Sequence, residues 1–267
     1  MNTLYAISDG LVIARRNIIK IKRVPEVLVF VLLSPIMFVL LFAYVFGSAI
    51  PIAGGSYREF LMAGIFAQTV IFGATFTGAG LAEDMQKGII DRFRSLPMSR
   101  AAVVMGRTAS DVIYNVLSLL IMCLTGLVVG WRIRGSLIDA LAGFGLLLLF
   151  SYAVSWMMAL VGLSVPSPEV VNNASFMVIF PITFIANTFV PSENLPTVLR
   201  VFAEWNPVSS VAHATRTLFG NIPPGTPEPT AWPLQNAVLY TIIWAGIIIA
   251  VFAPLAVRRY TRAAKKG

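Results

Sequence analysis

The chain has 267 residues, of which 57% are hydrophobic and only 12% are charged, with a mean hydropathy of +0.81. A soluble domain of this length would carry about 25% charged residues, so the composition excludes a water-soluble fold. The net charge of +8 does not indicate a nucleic-acid partner, because the basic residues lie between long apolar runs, as they do in membrane proteins.

Residues 1–26 carry the pattern of an amphipathic helix. Apolar residues recur there at spacings of three and four, which places them on one helical face: Leu4, Ile7, Leu11, Ala14, Ile18 and Ile21. The basic residues between them suit lipid headgroups, so we predict an interfacial helix that ends before Pro25. The alternative is a basic flank that only sets the topology.

Six apolar runs have about the 20 residues that a membrane helix needs. They cover residues 27–46, 60–82, 112–130, 137–163, 170–190 and 236–257. The sequence therefore predicts a single all-α integral membrane domain over 1–267 with six transmembrane helices. The first run exceeds the 7–15 residues of a signal-peptide core, so it is expected to stay in the protein. Gly73, Gly78 and Gly80 should permit close helix contacts in the second span.

The distribution of lysine and arginine predicts the orientation. Five of these residues precede span one, five lie between spans two and three, and five follow span six in 258–267. The opposite face carries the remaining five, at Arg58, Arg132, Arg134, Arg200 and Arg216. Because cytosolic loops are enriched in Lys and Arg, both chain ends are expected in the cytosol.

The cytosolic loop after span two combines both charge signs with apolar residues. A short helix is expected from Glu83, broken at Pro97, with Ser99 able to cap the helix that leads into span three. Such an element suits a groove on a partner protein. The alternative is a solvated loop whose basic residues only set the topology.

The loop between spans four and five is short. Residues 164–169 are expected to form a tight turn, and Ser167-Pro168-Glu169 is expected to start the helix of span five.

The segment 191–235 is expected to form re-entrant or interfacial helices on the outer face. One helix should follow a cap at Ser192, break at Asn206-Pro207 and give way to a second helix that stops at Gly220. Each piece has roughly eleven residues, or about 16 Å, which is too short to cross about 30 Å of hydrocarbon. Trp205 is expected at headgroup depth.

The spans offer no source of chemical energy. Asp111 and Asp139 are expected at span ends, and no phosphate-binding loop occurs, so a proton-coupled carrier and an enzyme are both disfavoured. The chain has one cysteine, Cys123, and one histidine, His213, so it lacks the residues for a Cys/His metal site or a histidine-based catalytic triad. Polar and aromatic positions that could line a cargo path are Gln68, Phe72, Asn172, Asn173, Phe184 and Asn187, although ordinary interhelical packing explains them as well.

Several sequence blocks resemble one membrane family. They are 61–68, 80–84, the run Gly88-Ile89-Ile90-Asp91-Arg92-Phe93-Arg94-Ser95-Leu96-Pro97-Met98-Ser99-Arg100, Gly106-Arg107, Gly130-Trp131-Arg132, Asn206-Pro207 and 216–220. In their order along nearly the whole chain they are similar to the permease subunits of ABC-2-type transporters, and most closely to daunorubicin-resistance-type drug-efflux permeases.

This resemblance implies a function that composition does not. It implies a subunit of the bacterial plasma membrane that pairs with a second copy and with an ABC ATPase, which binds the ATP and Mg²⁺, while this chain needs no cofactor. The cargo would be a lipophilic drug, antibiotic or secondary metabolite, or alternatively a lipid or lipid-linked glycan. The rivals are a stand-alone channel or carrier and a membrane anchoring protein.

The resemblance also implies where the ATPase would bind. Residues 83–100 look like a coupling helix, and those expected to contact the ATPase are Glu83, Asp84, Lys87, Ile89, Asp91, Arg92, Phe93, Arg94, Leu96 and Pro97.

Overall fold

The computed structural model describes residues 33, 35–46, 55–90, 100–223 and 225–263. All regular secondary structure in these residues is helical, in agreement with the predicted class. The helices are α1 (Pro35–Val45), α2 (Tyr57–Gly73), α3 (Thr75–Gln86), α4 (Arg100–Val129), α5 (Leu137–Gly162), α6 (Pro168–Ile185), α7 (Thr197–Trp205), α8 (Pro207–Leu218), α9 (Trp232–Gln235) and α10 (Ala237–Ala263). The end of α1, Phe42–Phe46, winds as a π-helix.

Five helical segments are long and apolar enough to cross a membrane. They are Tyr57–Gln86, Ala102–Val129, Leu137–Gly162, Pro168–Ile185 and Ala237–Arg262, and they match predicted spans two to six. The first predicted span, 27–46, is described only in its second half, which is the apolar helix α1. Six spans therefore stays a prediction. The interfacial helix of 1–26, the break at Pro97 and the cap at Ser99 lie outside the described residues.

Helix α4 is longer than the apolar run that predicted it. It begins at Arg100 and has 30 residues, since half of the residues before 112 are Ala, Arg or Met, which favour a helix, and Val103 and Val104 are buried against the bundle. The expectation that Asp111 lies at the end of a span is therefore wrong. Asp111 lies about three turns inside α4 and its side chain is buried.

Glycines bring α3 into backbone contact with α5. A Cβ placed on Gly162 would lie 2.1 Å from the carbonyl oxygen of Gly78, and one on Gly78 would lie 2.7 Å from the carbonyl oxygen of Met158. Neither position can hold a side chain without moving a helix. Gly73 and Gly80 of the same span likewise contact α4, at Asn115 and Arg107. The predicted close helix contacts of span two are thus confirmed.

The antiparallel helices give the bundle two ends. At one, which we call the Tyr57 end, Arg58 donates to the Val129 carbonyl oxygen at 3.2 Å, and α7 to α9 cover the bundle. At the other, the Gln86 end, Ile90 packs with residues of α4, α5 and α10. The Arg259 side chain of α10 also donates to the Leu163 carbonyl oxygen there, at 3.3 Å. Residues 87–90, the segment 163–167 and the end of α10 therefore share the Gln86 end.

The short helices at the Tyr57 end follow the predicted breaks. Helix α7 has 9 residues and α8 has 12, too few to span a bilayer. Asn206 ends α7 and caps α8 by accepting a 2.9 Å hydrogen bond from the Val208 amide, with Pro207 in the first turn. Gly220 follows α8 with φ of 68°, which glycine adopts without strain. The expected cap at Ser192 is wrong, because this residue lies in a 3₁₀ turn before α7.

Candidate functional site

A cavity of about 380 Å³ lies among α1, α2, α3, α4 and α6. Its volume falls within the range of about 300–1,000 Å³ that is typical of small-molecule sites. Five phenylalanine rings from four of these helices line it: Phe38, Phe72, Phe76, Phe176 and Phe180. The described residues that line it include no charged side chain. The cavity is therefore suited to an apolar, uncharged group.

One wall of the cavity continues as a row of contacting rings, the phenylalanine ladder, formed by Phe72, Phe176, Phe180, Phe184 and Phe189, of which the three rings of α6 are stacked. The ring centroids of neighbours along it are 6.2, 4.9, 5.0 and 5.0 Å apart. The three rings of α6 share a face because they are spaced four residues apart. Phe189 lies at the Tyr57 end, where its carbonyl oxygen accepts a 3.1 Å hydrogen bond from the Tyr57 hydroxyl. The ladder therefore links the cavity to that end of the bundle.

Neutral polar groups lie on the side of the cavity that faces α2 and α4. They are Gln68 and Thr69 of α2 and Tyr114 and Ser118 of α4. The Tyr114 hydroxyl is buried next to the Ser118 hydroxyl, so the two form a neutral polar pair on this side of the cavity.

The structure brings together only part of the predicted cargo path. Gln68 and Phe72 line the cavity, and Phe184 belongs to the ladder. Asn172 and Asn173 are exposed on α6, away from the cavity lining. Asn187 is buried at the Tyr57 end, where its side-chain oxygen accepts a hydrogen bond from Arg216 at 3.1 Å. Whether any of these residues contacts cargo stays a prediction.

Four of the residues expected to contact the ATPase are described, all at the Gln86 end. Lys87 is exposed and forms a 2.6 Å ion pair with Glu83, whose hydrogen bond and charge raise the pKa of Lys87. Asp84 is buried and Ile89 is half-buried. The remaining residues of this set lie outside the described part of the chain: Asp91, Arg92, Phe93, Arg94, Leu96 and Pro97. The coupling interface stays a prediction.

Sequence reasoning missed the buried polar cluster next to the cavity. The Arg107 guanidinium donates to the Phe76 carbonyl oxygen at 2.7 Å, and its Nε lies 4.0 Å from Asp111. Asn115 donates to the Ser151 hydroxyl at 2.9 Å and so joins α4 to α5. The run of Arg107, Asp111 and Asn115 at four-residue spacing was a signal for one polar helix face, because residues four apart lie on the same side of a helix.

Sequence reasoning also missed the role of Arg216 on α8. Its guanidinium is buried and donates to the carbonyl oxygens of Phe60, Asn187 and Thr188 as well as to the Asn187 side chain. It also lies 3.7 Å above the centre of the Phe60 ring. Burial lowers the pKa of Arg216 to about 9, so the group remains charged at neutral pH. Arg216 therefore ties α8 to α2 and to the segment after α6.

Comparison with known proteins bears on the whole chain. The family model of the ABC-2 type transporter matches residues 10–219. The chain is 33% identical over 255 residues to daunorubicin resistance ABC transporter permease protein DrrB1 of Streptomyces coeruleorubidus, which covers 96% of this chain and 87% of that protein.

Two further relatives are more distant. The chain is 26% identical over 188 residues to probable doxorubicin resistance ABC transporter permease protein DrrC of Mycobacterium tuberculosis, covering 70% of this chain and 64% of that protein. It is 25% identical over 214 residues to putative transport permease ycf38 of Pyropia yezoensis, covering 78% of this chain and 72% of that protein. With a family match over most of its length and a relative of 33% identity along nearly the whole chain, this multi-pass membrane protein belongs to the ABC-2 type transporter family.

Proposed function

We propose that this chain is the permease subunit of an ATP-binding cassette exporter that moves a lipophilic drug, antibiotic or secondary metabolite out across the bacterial plasma membrane. The observation that carries the proposal is the similarity over 96% of the chain to a permease named for daunorubicin resistance. The five candidate spans and the uncharged cavity among them suit a subunit that handles an apolar molecule within the bilayer.

The energy for export would come from a separate subunit. Family membership implies an ABC ATPase partner, and that partner would bind ATP and Mg²⁺. We place its docking surface on residues 83–100 at the Gln86 end. Fifteen of the 20 Lys and Arg residues lie in the three segments that the charge distribution predicts to be cytosolic. Of these fifteen, Lys87, Arg259 and Arg262 lie at the Gln86 end, which supports a cytosolic position for it.

Two copies of the chain would complete the transport path. Only 22% of the residues of α6 are buried within the chain. Asn172 and Asn173 lie on the exposed surface of this helix. A second copy that covered this exposed face would give the two amides hydrogen-bond partners between helices. Closure of the ATPase dimer would then push on 83–100 at the Gln86 end and open a path toward the Tyr57 end.

The proposal is tested by searching the neighbouring genes for an ABC ATPase, co-expressing the permease with it and reconstituting the purified complex in liposomes. ATP-dependent accumulation of doxorubicin is expected in vesicles whose ATPase faces outward. Absence of an ATPase partner, or transport that persists without ATP, would contradict the proposal and favour a stand-alone channel or carrier. Competition by lipid rather than by doxorubicin would favour the lipid-export alternative.

The docking surface is tested separately by charge reversal. Asp91→Arg combined with Arg92→Asp should reduce the amount of ATPase that co-purifies, because charge pairs set the register of a docked helix. The matched control is Arg262→Glu, which reverses an exposed charge at the same end of the bundle and should leave the complex intact. Equal recovery of the ATPase with both variants would rule out this assignment.

A further inference from the structure

We infer that a buried water site lies among α3, α4 and α5, at the level where Thr77, Asp111 and Ser155 meet. We call these three residues the polar layer. None of them is among the residues that line the aromatic cavity, so this is a separate place in the bundle. The inference concerns how the bundle holds a buried ion pair, and it does not depend on the proposed export function.

Helix contacts on either side fix where Thr77 and Asp111 lie. Two glycine contacts join the segment Tyr57–Gln86 to α4: Gly73 with Asn115, and Gly80 with Arg107. Thr77 lies between the two glycines on the same face of its segment, and Asp111 lies midway between their two partners on α4. Because both ends of this stretch are in contact, Thr77 and Asp111 face each other between α3 and α4.

The third member of the polar layer comes from α5. The Ser151 hydroxyl accepts a 2.9 Å hydrogen bond from Asn115 and donates to the Val70 carbonyl oxygen at 3.0 Å. Ser155 lies one turn further toward the Gln86 end on the same face of α5. The next turn contacts α3 again, since a Cβ on Gly78 would lie 2.7 Å from the Met158 carbonyl oxygen. Ser155 therefore faces the same interior region as Thr77 and Asp111.

All three side chains are buried with an unused polar atom. Their relative exposures are 0% for Thr77, 5% for Asp111 and 1% for Ser155. The Thr77 Oγ1, the Asp111 Oδ2 and the Ser155 Oγ have no hydrogen-bond partner among the described residues. Since an unpaired buried polar atom costs free energy, such atoms in native proteins are bonded to protein or to ordered water. Three of them in one region meet the two to four polar partners that a buried water needs.

The ion pair beside the polar layer has the spacing of a water bridge. The Arg107 Nε lies 4.0 Å from the Asp111 Oδ1, beyond the reach of a direct hydrogen bond. This Nε also lacks a hydrogen-bond partner among the described residues. Polar groups separated by more than about 3.5 Å are commonly joined by a water molecule. One water would accept from the Arg107 Nε and donate to the Asp111 carboxylate.

The charges and donors of the site favour water over a metal cation. Arg107 and Asp111 neutralise each other, so an added cation would leave a net positive charge inside the bundle, which is costly. A cation also cannot accept a hydrogen bond from the Arg107 Nε. Water carries no charge and both donates and accepts, so it satisfies the guanidinium, the carboxylate and the hydroxyls together.

The surroundings indicate that the site opens toward the Gln86 end. The Arg107 side chain retains 14% of its exposure, and it lies nearer that end than Asp111 does. Toward the Tyr57 end, the hydrogen bond between Asn115 and Ser151 closes the region. The Asn115 side-chain oxygen packs directly against Gly73 and lies outside the site. Water would therefore reach the polar layer past Arg107.

The first test is the sign of the stability change in Thr77→Val, which replaces the hydroxyl with a methyl group of similar size. If the hydroxyl binds water, the midpoint of thermal unfolding should fall by about 2–4 °C, the shift expected when a chain of this size loses one buried hydrogen bond. If the hydroxyl binds nothing, its removal relieves a burial cost. An unchanged or raised midpoint would then overturn the inference.

The matched control is Thr241→Val on α10. Thr241 is also 0% exposed, but its hydroxyl already bonds the Ala237 carbonyl oxygen of its own helix at 2.7 Å. Such a bond within one helix adds little stability, so the midpoint should change by less than that of Thr77→Val. A fall as large in the control would overturn the inference, because the effect would then belong to any buried threonine.

A shared water predicts that two hydroxyls without a direct bond are coupled. Thr77→Val combined with Ser155→Ala should lower the midpoint by less than the sum of the single shifts, because the first substitution already deprives the water of a partner. Thr77→Val combined with Thr241→Val should be additive. Additive shifts in both pairs would exclude a water shared by Thr77 and Ser155.

Water at the site can be observed directly in the wild-type chain. Water-edited solid-state NMR of the full-length permease in lipid bilayers, labelled with ¹³C-threonine, measures magnetisation transfer from water to each threonine. The Thr77 signal is assigned by its loss in Thr77→Ser, which keeps the hydroxyl. Its transfer should be as fast as that of the exposed Thr217 and faster than that of Thr241. Transfer as slow as that of Thr241 would overturn the inference.

The same preparation distinguishes water from a cation. The wild-type midpoint should be equal in sodium chloride and in choline chloride, because a water site has no need of sodium. A midpoint that is higher in sodium chloride, and that loses this difference in Asp111→Asn, would assign the site to a sodium ion and overturn the inference.

Discussion

At the Tyr57 end of the bundle, all three guanidinium nitrogens of Arg216 donate hydrogen bonds. In the half of the bundle nearer the Gln86 end, the Nε of Arg107 and the Oδ2 of Asp111 are buried without a hydrogen-bond partner among the described residues. Both regions contain buried charged side chains, but only at the Tyr57 end does every nitrogen of the buried guanidinium have a hydrogen-bond partner. The Tyr57 end is therefore fixed by its hydrogen bonds, whereas the Arg107 region can gain partners if water enters or the helices move.

The largest effect is expected from removal of the Arg216 guanidinium. Arg216→Met would leave the carbonyl oxygens of Phe60, Asn187 and Thr188 buried without their donor. Breaking such buried contacts costs about 3–5 kcal/mol of unfolding free energy, so a large drop in the midpoint of thermal unfolding is expected in detergent.

The control for this prediction is Arg200→Met on α7. Arg200 pairs with Glu204 at 2.8 Å on the surface of the chain, where solvent screens the interaction. No measurable shift of the midpoint is expected. Similar losses in the two variants would show that burial and full pairing do not distinguish the Tyr57 end.

The next largest effect concerns the helix contact beside the Arg107 cluster. Gly162→Ala would place a Cβ 2.1 Å from the Gly78 carbonyl oxygen and push α5 away from α3. A cost of about 1–3 kcal/mol in unfolding free energy is expected from this overpacking. Thermal unfolding measures it, and tryptophan fluorescence reports the change at Trp156, whose buried ring lies on the same helix.

Gly145→Ala is the control within the same helix. A Cβ at Gly145 would meet no atom within 4 Å, so the substitution should stabilise the protein slightly because alanine favours a helix more than glycine does. Destabilisation by both variants to the same extent would mean that the close approach at Gly162 has no special energetic role.

A smaller effect is expected in the Arg107 region, where some buried polar atoms have no hydrogen-bond partner among the described residues. Asn115→Leu removes the 2.9 Å hydrogen bond to Ser151, but Ser151 keeps its bond to the Val70 carbonyl oxygen, and the Asn115 side-chain oxygen has no partner to lose. The expected loss is about 0.5–1 kcal/mol, typical of an interhelical hydrogen bond in membrane proteins. Chemical unfolding in mixed micelles would resolve it.

Thr125→Val serves as its control. The Thr125 hydroxyl bonds only the Ile121 carbonyl oxygen of its own helix, so no contact between helices is lost. A loss for Asn115→Leu as large as that for Arg216→Met would remove the distinction between the two regions.

The smallest effect at neutral pH is expected at His213 of α8. Burial, and then the charge of Arg216, lower the pKa of His213 to about 4. Between pH 6.5 and 4 the unfolded chain binds a proton that the folded chain does not, so stability is complete above pH 6.5 and falls as the pH is lowered toward 4. His213→Gln should reduce this acid sensitivity and change nothing at pH 7.5, as thermal unfolding over this pH range would show. An unchanged acid slope would contradict the lowered pKa.

Local sequence signals predicted much of the fold. The 20-residue apolar runs located spans two to six, because the cost of exposed backbone in lipid forces long helices. Asn206 and Gly220 predicted the ends of the short helices, because capping and positive φ depend on one or two residues. A helix leading into span three was expected after Ser99, and α4 does begin at Arg100. The burial of its first turns against the bundle was not predicted, because those turns are not apolar throughout.

The candidate site was predicted less well. Gln68 and Phe72 were expected on a cargo path and do line the cavity, yet the rings of Phe38 and Phe180 that complete its wall were not identified. Phe176, Phe180 and Phe184 repeat every four residues, but such a repeat also suits a lipid-facing helix. Only the packing of α6 beside α2 shows that these rings continue the cavity wall.

By itself, the sequence determined that this protein is a membrane-embedded helical protein, since hydropathy, charge distribution and helix-breaking residues act over short stretches of chain. The tertiary structure decided which buried charges are paired and which rings enclose a cavity. Arg216 bonds to Phe60 across 156 residues, and Phe72 contacts Phe176 although more than a hundred residues separate them. Such partners are set by how the helices pack, and no local pattern in a single sequence encodes that packing.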